Sequence, residues 1–233
     1  MISNTINHIQ PTTIQSPRKL FRFYPTTSNT TENPLGVSDE AIEATRGKPI
    51  GKRLVSCFVR SLVDGADYNG DYLPLSALLN TDSTQVKALR KEASWIEKKR
   101  LEDELPIFTP CCVLCYDWGK HLYYPICYTC LCDFDILKAD NPSIDFQLLK
   151  QELSELPQIY YCGLATNGMD LFCLVPILAP QRFEEHALAL RTLFKEQGLN
   201  IKIDVNIAHT RSLSTDLDGY FNENAIEFTQ LWK

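Results

Sequence analysis

Apolar residues return at helical spacing in several stretches of the chain. In "TQVKALRKEASWIEKKR", Val86, Leu89, Ala93 and Ile96 recur on one side and predict a single helix that runs on to "LEDELP", where Pro106 stops it. "NPSIDFQLLKQELSEL" places Phe146, Leu149, Leu153 and Leu156 on one face, with Ser143 as the expected cap. "PQRFEEHALALRTLFKEQG" does the same with Phe183, Ala187, Leu190 and Phe194, and Gly198 closes it.

Between these helices the pattern shortens to strands. "LVSCFVRSL" reads as a strand followed by the loop "DGADYNGDY". "CCVLCYDW" and "HLYYPICYTCLCDFD" read as the two strands of a hairpin turning at Gly119-Lys120, and "QIYYCGLAT" and "LFCLVPI" as another turning at Asn167-Gly168. "NIKIDVNI" alternates strictly, with Ile201, Ile203, Val205 and Ile207 on one side. This order predicts an α/β (α+β) sandwich in which a mixed β-sheet is covered by helices. Up to about Lys48 the chain is rich in Thr, Asn, Ser and Pro and keeps no period. Residues 1–48 are therefore expected to be a flexible arm, and 49–233 the folded domain. "RKLFRFYP" is the exception within the arm, a basic and aromatic segment suited to docking.

Composition narrows the class. With 233 residues, 44% of them hydrophobic, the chain can bury a core, and no apolar run approaches the roughly 20 residues of a membrane span. No secretory leader is evident, so a cytoplasmic protein with no membrane partner is expected, its 9 cysteines reduced. A formal charge of -6 argues against bulk electrostatic coating of nucleic acid. A local basic face is still present on the first helix, where Lys87, Arg90, Lys91 and Lys98 gather. It is a candidate nucleic-acid surface, or a solvated face balanced by Glu92 and Glu97.

The segment "YTCLCDFD" offers two chemistries. Cys112-x-x-Cys115 and Cys127-x-x-Cys130 have zinc-ribbon spacing, but residues that favour extended chain separate each pair, which would split its sulfurs between two faces. No zinc is expected. The same alternation puts Tyr128, Cys130, Cys132 and Phe134 on one face and Asp133 and Asp135 on the other, with α-carbons roughly 6.6 Å apart. Asp204, on the polar face of "IKIDVNI", is a third candidate carboxylate. Such a set suits Mg2+ or Mn2+.

From about Leu54 to Ala225 the chain resembles the VirE N-terminal domain of virulence-associated-protein-E-like replication proteins of mobile elements, relatives of the archaeo-eukaryotic primases with the primase-polymerase fold. "LRKEASWIEKKRLEDELPIFTP", "CDFD", "LATNGMDLF" and "IDVNIAHTRSLSTDLDGYFNENA" carry the likeness. The resemblance implies a divalent-metal and catalytic site at Asp133, Asp135 and Asp204, Arg211 on phosphate with His209 as a substitute cation, and Asn167-Gly168 shaping a nucleotide pocket. It also implies nucleotidyl transfer in DNA replication, or nucleotide and single-stranded nucleic-acid binding. Because the chain ends at "FTQLWK", soon after the resembling region, a helicase or other replication partner is expected to be a separate chain. The pattern departs where the family's second motif has a glycine and a basic residue, here Asp170 and Phe172. A non-catalytic module of the same fold, binding nucleic acid or a replication protein, is the alternative. Arg211 has a structural alternative too, a salt bridge to Asp216 or Asp218. His121 and His186 show no ligand-like spacing and are assigned no function.

Overall fold

The computed structural model describes residues 36–59, 71–79, 81–117 and 122–232. The arm up to residue 35, the loop 64–70, the turn at Gly119-Lys120 and His121 lie outside the described residues. The fold is of the α+β class, and its named strands pair antiparallel. Parallel pairing among the described residues is limited to the isolated bridge between Ile177 and Phe228.

Among the described residues the β-structure is two four-stranded sheets and a hairpin. In the first sheet, β1 (Leu54–Val59) is flanked by β2 (Asp71–Pro74) and β3 (Pro106–Phe108), and β3 pairs with the short β9 (Arg211–Ser212). β2 corrects the loop expected up to Tyr72. β4 (Cys112–Asp117) and β5 (Leu122–Tyr128) form the hairpin. The second sheet has the order β10 (Tyr220–Phe221), β7 (Tyr161–Leu164), β8 (Leu171–Pro176), β6 (Leu131–Ile136).

The expected second hairpin strand is thus two strands. The chain leaves β5 after Tyr128, Cys130 takes a φ of 58°, and β6 enters the other sheet. A left-handed non-glycine residue reverses the face alternation there. Tyr128 and Cys130 consequently pack with Val37 and Ile42, while Cys132 and Phe134 join the main core.

That core lies between one face of the second sheet and two helices, α5 (Phe146–Ser154) and α6 (Phe183–Glu196). Leu149 and Leu153 of α5 and Phe183, Ala187, Leu190 and Phe194 of α6 supply the helical side, as their spacing predicts. The cap of α5 is Asp145, whose carboxylate accepts from the Gln147 and Leu148 amides, in place of the expected Ser143. Gly198, at φ +84°, ends α6, with the Leu199 amide donating to the Phe194 carbonyl at 2.9 Å. The opposite face of the second sheet, carrying Leu131, Phe172, Leu174 and Tyr161, packs on Val55, Cys57 and Phe108 of the first sheet and on Leu75, Leu78 and Leu79 of α2 (Leu75–Leu79). Asp133 and Asp135 therefore point toward the first sheet.

The single basic helix expected over Thr84–Arg100 is two: α3 (Thr84–Lys91) and α4 (Trp95–Asp103). Ser94 breaks it by capping α4, accepting from the Glu97 amide. Val86 and Leu89 stay buried, but Ile96 turns out to solvent at 76% exposure beside Trp95 at 77%. The arm boundary also moves. Residues 39–46 form α1 (Asp39–Arg46), whose Ile42 is buried and whose Arg46 meets Glu227 at 2.7 Å. No helix among the described residues is long and apolar enough to cross a membrane.

Candidate functional site

Strand β6 presents Asp133 and Asp135 on one face because a strand turns every second side chain the same way. Asp133 is only 2% exposed. A carboxylate so deeply buried is costly unless cations and donors surround it. Two chain segments bring them. β9 is held at the edge of the first sheet by β3, and from it Arg211 reaches across to the second sheet. Its Nε donates to Asp133 Oδ2 at 3.0 Å, its Nη2 lies 2.9 Å from the same oxygen, and its Nη1 donates to Asp135 Oδ1 at 2.8 Å. Phe172, opposite Asp135 in the β6–β8 register, lies beneath the guanidinium with its ring centre 4.5 Å away.

From the turn before β9, His209 places Nε2 2.8 Å from Asp133 Oδ1, and the same oxygen accepts from Cys111 Sγ at 3.3 Å. Both oxygens of Asp133 are occupied. Burial pushes its carboxyl up, but the charges and hydrogen bonds of Arg211 and His209 hold it well below the usual carboxylate range. For His209 burial acts downward, and the Asp133 hydrogen bond and charge more than reverse it. Burial, followed by the Asp133 charge, drives the Cys111 thiol far up.

Asp204 stands on the segment beside β6, where Lys202 exchanges backbone hydrogen bonds with Asp135 at 2.8 Å. The strand expected over 200–207 is reduced to this bridge. Ile201 and Ile203 are buried but Val205 is 44% exposed, so the strict alternation does not become a full strand. Asp204 is exposed, and its Oδ1 accepts from the Asn206 amide at 2.9 Å. Asp133, Asp135, Asp204, His209, Arg211 and Asn167 all line one cleft of about 330 Å³.

The β7–β8 turn forms a wall of this cleft. Gly168 takes the left-handed φ of +72° expected of Asn-Gly, and Asn167 Oδ1 accepts from the Met169 and Asp170 amides at 2.9 and 3.0 Å. Asp170 is a turn residue, bonded to Asn167 Nδ2 and to the Lys138 amide at 2.6 and 2.7 Å.

The basic face divides. Arg90 is turned inward, donating to the Ala165 and Thr166 carbonyls at 2.8 and 3.2 Å and to Ser214 Oγ at 3.2 Å, which holds the turn and removes it from the surface group. Lys87 pairs with Asp82. Lys91 and Lys98 are exposed, as is Trp95 between them in sequence. Arg211 does not use Asp216, which instead pairs with Lys150 at 2.6 Å. His186 is fully buried, with Nε2 accepting from the Ala179 amide at 3.2 Å, and burial lowers its pKa to about 4.

Cys111 is the site residue that sequence reasoning missed, hidden beside the more suggestive Cys112. Together with Asp133 and His209 it forms the group of potential metal ligands found among the described residues, and neither Cys-x-x-Cys pair contributes to it. No family model, curated protein or solved structure matches the chain.

Proposed function

We propose that this chain is a primase-polymerase-like domain of DNA replication that binds a nucleoside triphosphate together with a divalent cation in the cleft above Asp133. The observation that carries the reading is the charge of that cleft. Glu102, Asp133, Asp135, Asp170 and Asp204 outnumber Lys202 and Arg211 on its walls, and His209 as a further cation does not close the gap. A bare triphosphate is repelled by such a surface, whereas one accompanied by Mg2+ or Mn2+ is accepted.

The carboxylates fit the ion unequally. Asp133 has no oxygen to offer while Arg211, His209 and Cys111 hold both. Asp135 and Asp204 each keep Oδ2 without a hydrogen bond among the described residues. These two would hold the cation, and Asp133 serves as the anchor that positions Arg211. Magnesium or manganese there would neutralise triphosphate charge. Arg211, supported by Phe172, supplies a fixed planar donor at the cleft floor, and Asn167 shapes the wall. Lys91, Lys98 and Trp95 suit single-stranded nucleic acid, since cations meet phosphates and an exposed indole stacks on a base.

Thermal unfolding of the full chain tests this directly. Nucleoside triphosphate with Mn2+ should raise Tm progressively with ligand concentration, and triphosphate with chelator should not. Equal shifts in both would reject the reading. The occupied oxygens of Asp133 favour a second reading of the same fold, a non-catalytic binding module. Primer extension separates the two, because binding without extension identifies the module and extension the nucleotidyltransferase.

A further inference from the structure

Cys111, Asp133 and His209 bring one sulfur, one carboxylate oxygen and one imidazole nitrogen within 4.8 Å of one another from three separate chain segments. Sγ and Nε2 approach the same oxygen, Oδ1, while Arg211 holds the other, Oδ2. A cation at this group therefore does not compete with the guanidinium for an atom. His209 is prepared for it: Nδ1 lies 2.8 Å from the Asn206 carbonyl, which orients the ring and leaves Nε2 as the inward nitrogen. That is the outer-shell contact that metal-bound histidines make.

We propose that Cys111, Asp133 and His209 form a three-ligand site for a transition metal of the zinc class, with its remaining position toward the cleft that His209 lines. The donor set selects the ion. Thiolate, imidazole and carboxylate match zinc or cobalt, whereas magnesium takes oxygen donors. Charge supports the choice, because a thiolate, a carboxylate and a neutral imidazole together balance a divalent ion, so the filled site is neutral where Asp133 and Cys111 are buried. On binding, the thiol proton and any proton on His209 leave to solvent. This site is separate from the Asp135 and Asp204 pair proposed for the nucleotide's cation, and it stands without that reading.

The test uses the full chain, stripped with chelator and then titrated with Co2+. One equivalent should produce the thiolate-to-cobalt charge-transfer absorption and the intense visible bands of four-coordinate cobalt, and Zn2+ should bleach both. Cys111→Ala should abolish the charge-transfer band, and His209→Gln should weaken binding by about tenfold or more. Cys115→Ser, a half-buried thiol outside the group, should leave the spectrum unchanged. Absence of the band in the unaltered chain, or its survival in Cys111→Ala, would overturn the site. Asp135→Asn keeps the cobalt spectrum even if nucleotide binding is lost, so the two claims fail separately.

Discussion

Arg211 gives two nitrogens, Nε and Nη2, to the same oxygen of Asp133, at 3.0 and 2.9 Å. This contact joins the two sheets, since Arg211 belongs to β9 of the first and Asp133 to β6 of the second. Removing Arg211 leaves the buried Asp133 carboxylate with only His209 and Cys111 as partners. Arg211→Met should therefore lower unfolding free energy by about 3–5 kcal/mol in urea. A loss below about 1 kcal/mol would mean that the pair is not holding the sheets together.

The acidic and basic members of this cluster set opposite pH limits. Asp133 titrates lower in the folded chain, so its stabilisation is present above the unfolded carboxylate pKa of about 3.9 and is lost as pH falls through the folded value. His209 titrates higher, so its share is complete below the unfolded imidazole pKa of about 6.5 and is lost as pH rises through the folded value. In metal-free protein, urea midpoints measured at pH 5, 7 and 9 should show His209→Gln costing most at pH 5 and least at pH 9. A cost independent of pH would place His209 outside the ion pair.

At the β7–β8 turn, a Cβ on Gly168 would stand 2.8 Å from Arg90 Cδ, at a φ of +72°. Gly168→Ala should cost about 1–3 kcal/mol through backbone strain and this contact together. In an Arg90→Ala background the contact part disappears, so the glycine substitution should cost less there. Additive costs would show that the two residues do not touch.

Much of this arrangement was legible in the sequence, for identifiable reasons. Asp133 and Asp135 alternate with Cys132 and Phe134, and period-two burial transmits directly into faces of a sheet. The inner faces of α5 and α6 followed from period 3.6 in the same way. The split between α3 and α4 left a local signal that periodicity overrode: Ser94 with Glu97 three residues on is a capping pair. Cys130 left none, because its left-handed backbone is imposed by the change of sheet rather than by residue type. Which cation meets which carboxylate was also unreadable. Arg211 lies 78 positions from Asp133, and only the packing of one sheet on the other selects Asp133 over Asp216 as its partner.

On α4 the exposed Trp95, with Lys98 and the nearby Lys91, should contact single-stranded nucleic acid. Lys91→Glu with Lys98→Glu should weaken oligonucleotide binding and flatten its salt dependence, and Trp95→Ala should cost about 1–3 kcal/mol of binding. Fluorescence anisotropy with a labelled oligonucleotide measures both. Unchanged affinity in all these variants would remove this face from the nucleic-acid reading.

On the proposed reading, Asp135 and Asp204 hold a cation that admits a nucleotide to the cleft, while Asp133 anchors Arg211. Calorimetric titration of the full chain with a nucleoside triphosphate, with and without Mn2+, tests it most directly. Binding should appear only with Mn2+ and should weaken by about tenfold or more in Asp135→Asn and in Asp204→Asn, with the fold intact by circular dichroism. Binding that needs no divalent ion, or that both variants retain at full strength, would contradict it.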